Sequence, residues 1–452
     1  MAELRRGRTT RERRLAGKVA REWAERRAAA EARERETDLD RASADAEVAL
    51  QIAGPRGQAP TPTAPPKPRA SRGAGRRVPD LSALPPLLHQ TGAFASLRDR
   101  IGPPDATPGD ATPRGRHAGL TSVPHGAKSF LAAALASATP PERVAWIARD
   151  AEIGDRVAEE LQAWLGNPAH VAVLEPRTAL AYERSELVAD ETAARVAALS
   201  AWRSGSARIL VASVQALLQH TLHPEDLPAE PRAVRIGARQ SLDALVRDLF
   251  DLGYVPVLEV AGRGEFARRG GLVDVFPPSE PLPIRIEFFG DEIESLRAFD
   301  PTDQRSVDAV RELQLLPATE FLMPAGGAAA IRDRLGRRAA RLPERLATDL
   351  ERFERDAGGR AVHVGDAAEV WGPLLAPATG LDHLPTASLL VLDEPGDLAD
   401  AADFLWRQAD ERRRELQEAG ELPKDWPSTY LEPRPWRSRL LTGRTLELTW
   451  QS

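Results

Sequence analysis

The chain has 452 residues, 42% of them apolar and 28% charged, enough for several cored domains with well-solvated surfaces. Its 61 Lys/Arg against 67 Asp/Glu give a net charge of -6, which excludes a globally basic nucleic-acid binder but not a local basic patch. Cysteine is absent, which removes disulfide frameworks, thiolate metal sites and thiol nucleophiles, and fits a reducing, cytoplasmic setting.

The charge is uneven: residues 1–79 hold 19 Lys/Arg and 11 Asp/Glu, an excess of +8. Residues 9–50 combine strong helix formers with i,i+4 pairs such as Glu22 with Arg26, but lack a wide apolar stripe. They read as a solvated helix. Residues 54–79 are rich in Pro, Gly and Arg with no acid, which predicts a disordered linker. The pair reads as an extension rather than a nucleic-acid arm, since nothing in it is site-like.

From Asp80 the texture changes. After a Pro/Gly loop near 102–116, strands are expected at 144–148, 171–174 and 209–212, alternating with helices at 153–165, 191–202 and 214–218. Gly166 and Gly205 stand where the first two helices should stop. Alternating strands and helices imply a parallel sheet. The most apolar run, 130–138, is far below the ~20 residues of a membrane helix, so no membrane partner is expected. After about residue 222 the rhythm breaks. Ser241 can cap a helix at 242–252, and strands follow at 255–260, 272–276, 284–289 and 293–299 with short links, a small β-rich unit. A charged helix is expected at 328–356, a strand at 389–392, a helix at 397–420 and a strand at 445–450, where the chain reads as cut in mid-architecture. The division is therefore 1–79, 80–221, 222–310 and 311–452: extension, α/β lobe, β-rich domain, then helical arm with a return to the lobe.

Residues 121–130 read TSVPHGAKSF, a loop that can be laid over G-x-x-x-x-G-K-[ST]. Ser122 and Ala127 replace both glycines, leaving Lys128 and Ser129. Backbone N–H groups must converge on phosphate in such a loop, where a Cβ obstructs, and Pro124 lacks an N–H altogether. The loop reads as degenerate, with no nucleotide cofactor expected. Asp393 and Glu394 mimic the acidic pair that holds Mg²⁺ in phosphate-cleaving enzymes, but without a phosphate loop the metal has nothing to clamp. His220 and His223 lack a third ligand, so no metal is expected. Gly262 and Gly264 lie in strand texture, which fails the context of a dinucleotide loop.

Gly290–Asp291 between two alternating runs is a hairpin turn. That register sets Phe289 opposite Glu292, Glu287 opposite Glu294, and Arg285 opposite Leu296. One face then carries Ile284, Ile286, Phe288 and Ile293, and is the core face. The other carries Arg285, Glu287, Phe289, Glu292 and Glu294. A Phe among charges, beside an Arg, has the composition of a protein-binding hot spot, unless the ring packs under its own loop or a neighbouring domain.

The run GEFARRGGLVDVFPPSEPLPIRIEFFGDEIESLRAFDPTDQRS (264–306) strongly resembles the UvrA-interaction domain shared by the excision-repair protein UvrB and the transcription-repair coupling factors. A weaker likeness extends from about Leu81 to the C-terminus. The degenerate loop, and the lack of room at 182–193 for UvrB's DNA-clamping hairpin, are similar to the coupling-factor branch. The resemblance implies a degenerate RecA-like lobe carrying an inserted, β-rich UvrA-binding domain. It implies no catalysis by this chain itself and UvrA as partner, with DNA and RNA polymerase reached only through the full-length protein. The chain is then expected to be a fragment without the translocase motor and polymerase-binding domain. The family's UvrA contacts match Arg269, Arg285 and Phe289. The rivals are an ATP-dependent DNA helicase or translocase, which needs an intact phosphate loop, and a UvrB-like damage-binding protein, which needs the missing hairpin.

Overall fold

A computed structural model of the chain describes residues 80–103, 117–324, 326–355 and 364–450. The helix expected at 9–50, the linker at 54–79 and most of the loop near 102–116 lie outside the described residues. The first part runs α1 (Gly92–Ile101), β1 (His117–Leu120), α2 (His125–Ala136), β2 (Val144–Ala148), α3 (Ala151–Leu165), β3 (Val171–Leu174), α4 (Ala189–Ser204), β4 (Ile209–Ser213) and α5 (Val214–Leu218). Asp150 caps α3 by accepting from the Ile153 N–H, and Ser213 caps α5 through the Ala216 N–H.

The central part comprises β5 (Arg232–Arg235), α6 (Leu242–Asp251), β6 (Val255–Pro256), β7 (Glu265–Arg269), β8 (Leu272–Val275), β9 (Ile284–Phe289), β10 (Glu292–Phe299), β11 (Ser306–Ala309) and β12 (Glu312–Leu315). The rest holds α7 (Gly327–Leu335), α8 (Glu344–Arg355), α9 (Ala368–Leu375), β13 (Leu389–Asp393), α10 (Pro395–Glu418), α11 (Pro433–Thr442) and β14 (Arg444–Leu448). The single helix expected at 328–356 is broken, with a 3-10 segment at Gly336–Arg341 followed by Pro343. Gly336 turns at φ 55, where an L side chain is strained, and Pro343 has no N–H for a helix interior.

Six strands in the order β1-β14-β13-β2-β4-β3 form a parallel sheet. Val144 and Trp146 of β2 join Val211 and Val391 in one core layer, while Ala145 and Ile147 join Leu210 and Leu390 in the other. Both faces are covered, which is why these strands read as unbroken apolar runs. The second sheet, β11-β10-β9-β8-β7-β6, is antiparallel except at β6–β7. Leu245 and Leu249 of α6 pack under it against Val273, Ile284, Ile286, Ile293 and Leu296. β5 pairs antiparallel with β12, with Val234 opposite Leu313 and both fully buried. The chain thus enters and leaves this unit side by side. The molecule is mixed α/β, with one parallel sheet and one antiparallel β-rich unit. No helix among the described residues is long and apolar enough to cross a membrane.

Where the chain leaves the β-rich unit, four charged side chains meet out of water. Glu320 accepts from Arg195 Nε at 2.8 Å, from Arg177 Nη1 at 3.1 Å and from Thr221 Oγ1 at 2.7 Å. Arg177 Nε also reaches Glu369 of α9 at 2.6 Å. All four are at most 2% exposed. Burial alone pushes the Glu320 carboxyl up, but Arg195 and Arg177 outweigh it and hold it below its usual range.

His383 is fully buried, with Nε2 donating to the Leu222 carbonyl at 2.8 Å and Nδ1 without a partner among the described residues. Burial pushes its pKa down to about 4. An unfolded histidine titrates near ~6.5, so below that pH the unfolded chain binds a proton that the folded chain refuses. Stability contributed by the neutral ring should therefore fall by about 2–3 kcal/mol between pH 7 and 4.5. Urea melts of the wild type and His383→Gln at both pH values check this. An equal pH dependence in the two proteins would contradict it.

Candidate docking face on the antiparallel sheet

β9 and β10 turn at Gly290–Asp291 with Phe289 opposite Glu292, as the alternation predicts. Beyond Ile293 the expected register is corrected by one residue. A bulge at Glu294 sets Glu287 opposite Ser295 and Arg285 opposite Arg297. The cause is burial: in the expected register Leu296 would stand among the charges. With the bulge, Leu296 faces Ile286 and Ala298 faces Ile284, inside the core. Burying a leucine is worth ~2 kcal/mol, more than one ladder bond. Phe288, expected in the core, is only half-buried against it.

On the outward face Phe289 is 79% exposed and belongs to no core cluster, so it packs under neither a loop nor a neighbouring element among the described residues. Beside it lies a hollow of about 480 Å³ bounded by Arg239, Gln240, Ser241, Asp291 and Glu292. Arg269 ends β7, and its Nη2 donates to the Leu258 carbonyl at 3.0 Å. It pairs with Leu272, which pairs with Glu287. Strand spacing then sets Arg269 about 12 Å from both Arg285 and Phe289, which are themselves ~13 Å apart. The three positions make one triangle on one face.

Their states differ. Arg285 is bidentate to Asp274, Nε to Oδ1 at 2.7 Å and Nη2 to Oδ2 at 2.9 Å, and its guanidinium covers the Phe299 ring at 4.8 Å. Asp274 is 2% exposed. Leu258, whose carbonyl holds Arg269, is 95% exposed. Sequence reasoning missed it, because the strand expected at 255–260 stops at Pro256.

The segment at 121–130 follows β1, at the edge of the parallel sheet. Ser122 adopts φ 58, the left-handed conformation that a glycine would hold there. Lys128 of α2 is 1% exposed and donates to Asp393 at 2.7 Å and Glu394 at 2.6 Å, side chains at the end of β13. The structure thus joins two motifs that the sequence kept apart. Burial raises the Glu394 pKa, but Lys128 and the Trp450 N–H hold it below the carboxylate range. Ser129 Oγ, the atom that would approach a metal, donates to Glu160 at 2.5 Å and accepts from Trp164 Nε1 at 3.2 Å. Among the described residues no cluster of His, Asp and Glu has metal-binding geometry.

Residues 233–321, from β5 to just past β12, match the UvrB interaction domain family. The chain is 31% identical over 319 residues to the transcription-repair-coupling factor of Myxococcus xanthus, covering 67% of this chain and 26% of that protein. It is 27% identical over 278 residues to that of Bacillus subtilis, covering 56% and 23%. It is also 29% identical over 245 residues to the UvrABC system protein B of Mycobacterium tuberculosis, covering 48% and 32%. The chain spans about a quarter of the length of these coupling factors. Residues 233–321 thus carry the match to the UvrB interaction domain, and the chain is similar to transcription-repair-coupling factors and to UvrABC system protein B.

Proposed function

We propose that the chain recruits UvrA in nucleotide excision repair, as a non-catalytic module, and that UvrA docks on the outward face of β7–β10. The observation that supports this best is Phe289, a large apolar side chain 79% exposed on a paired strand within the segment matching the UvrB interaction domain. A ring held in the open by a sheet loses little freedom on binding, which suits it as an anchor. Arg269, Arg285 and Phe289 form the contact triangle. Residues 80–221 and 311–452 make a degenerate RecA-like lobe with a helical arm, and 222–310 the docking domain. DNA and RNA polymerase are reached only through a longer protein. Titrating UvrA into the purified chain tests the reading. Saturable binding is expected, and no binding at micromolar concentrations would overturn it.

The lobe is proposed to lack ATPase activity because its one loop lysine is already neutralised. A triphosphate entering there meets Asp393 and Glu394 on the lysine that should bind it, and like charge opposes entry. The purified chain should therefore not turn over ATP, with or without DNA. Turnover on the order of 1 s⁻¹ that disappears in Lys128→Met would contradict this.

A further inference from the structure

Leu258 is 95% exposed, more than any other large apolar side chain among the described residues. At the tip of a loose loop that would mean little, but this loop is stapled on both sides. The Val257 N–H donates to the Phe266 carbonyl at 2.8 Å, and Val257 and Val260 pack with Ala267, Phe276 and Phe299. The Ala261 and Gly262 N–H groups both donate to the Glu265 carboxylate at 2.8 Å. At Leu258 itself, Arg269 Nη2 grips the carbonyl at 3.0 Å and lies 3.8 Å from the Glu259 carboxylate. The backbone is fixed while the side chain stands in water, an apolar burial that the fold leaves unused.

Because an outward-facing arginine holds its carbonyl, Leu258 borders the face that carries Phe289. Leu272 joins the two. It stands opposite Arg269 on one side and Glu287 on the other, so it projects to the same outward face. It is half-buried and belongs to neither core cluster of the β-rich unit. Phe289, two residues beyond Glu287, is diagonal to Leu272, ~7–8 Å away and within reach of an aromatic ring. Leu258, Leu272 and Phe289 thus form one apolar strip, all within the segment matching the UvrB interaction domain. Arg269, whose side chain stays 43% exposed, braces Leu258 and still faces outward for a partner's carboxylate. We propose that Leu258 is a second apolar anchor for UvrA, and that UvrA covers this face with an apolar surface long enough to take Phe289 and Leu258 together. This rests on the docking reading proposed above.

The test is UvrA titration into the full chain and its variants, each also melted thermally. Leu258→Ala should melt like the wild type and bind UvrA about tenfold more weakly. Its binding heat capacity should be less negative and its salt dependence unchanged, as the loss of an apolar contact requires. Leu258→Asp should bind more weakly still. Phe404→Ser removes a 53% exposed ring from α10, outside the β-rich unit, and should bind as the wild type does. Wild-type binding by both Leu258 variants alongside weakened binding by Phe289→Ala would overturn the inference and leave the docking reading standing. Wild-type binding by Leu258→Asp and Phe289→Ala alike would overturn the docking reading, and the inference with it. Early melting of Leu258→Ala would mean that the side chain is packed within the fold, and equal weakening by Phe404→Ser would mean that the effect is not tied to this face. Either result would overturn the inference.

Discussion

Replacing Glu320 with alanine is expected to cost the fold about 3–5 kcal/mol. The carboxylate neutralises Arg195 and shares Arg177 with Glu369, and none of these groups reaches water. Removing it leaves Arg195 a buried cation without its anion, and Thr221 Oγ1 without its acceptor. Because Glu320 follows β12 while Arg177 and Arg195 belong to the parallel-sheet part, the loss also removes a tie between the exit of the β-rich unit and that part. Glu320→Gln keeps the shape and one acceptor, and should lose less. Denaturant midpoints of the two variants check the order, and a Glu320→Ala protein within 1 kcal/mol of wild type would contradict it.

The second large effect separates the two faces of β9. Ile286 is fully buried under α6, and Ile286→Ala should cost about 2–5 kcal/mol through lost transfer free energy and the cavity left behind. Phe289, three residues on, has no core contact to lose, so Phe289→Ala should melt within ~0.5 kcal/mol of wild type. Thermal melts of the pair read the difference directly. A comparable drop in both would mean that Phe289 is packed.

The strands at Val144–Ala148, Val171–Leu174 and Ile284–Phe289 were legible to the residue, because apolar runs or strict alternation bounded by Gly and Pro admit one period. β1 and β7 were not. His117–Leu120 carries a His and a Gly, and Glu265–Arg269 carries three charges, so neither shows alternation strong enough to announce a strand. Their neighbours in the sheets supply what the local sequence lacks. The bulge at Glu294 has no local signal either, and is fixed by the demand that Leu296 be inside. For the docking face, Phe289 was legible as an apolar residue among charges. The commitment of Arg285 was not, although an Asp between valines in LVDV is itself a sign that a buried cation is near. The pairing of Lys128 with Asp393 spans 265 residues and depends on the order of strands in the sheet, which neither motif contains.

The measurement that bears most directly on the proposed recruitment of UvrA is calorimetric titration of UvrA into the wild-type chain and into Phe289→Ala at one salt concentration. The ring is the largest apolar group exposed on the face, and burying it should dominate the contact. A folded Phe289→Ala protein should bind UvrA at least ~30-fold more weakly, about 2 kcal/mol. Equal affinity of the two proteins for UvrA would contradict the account.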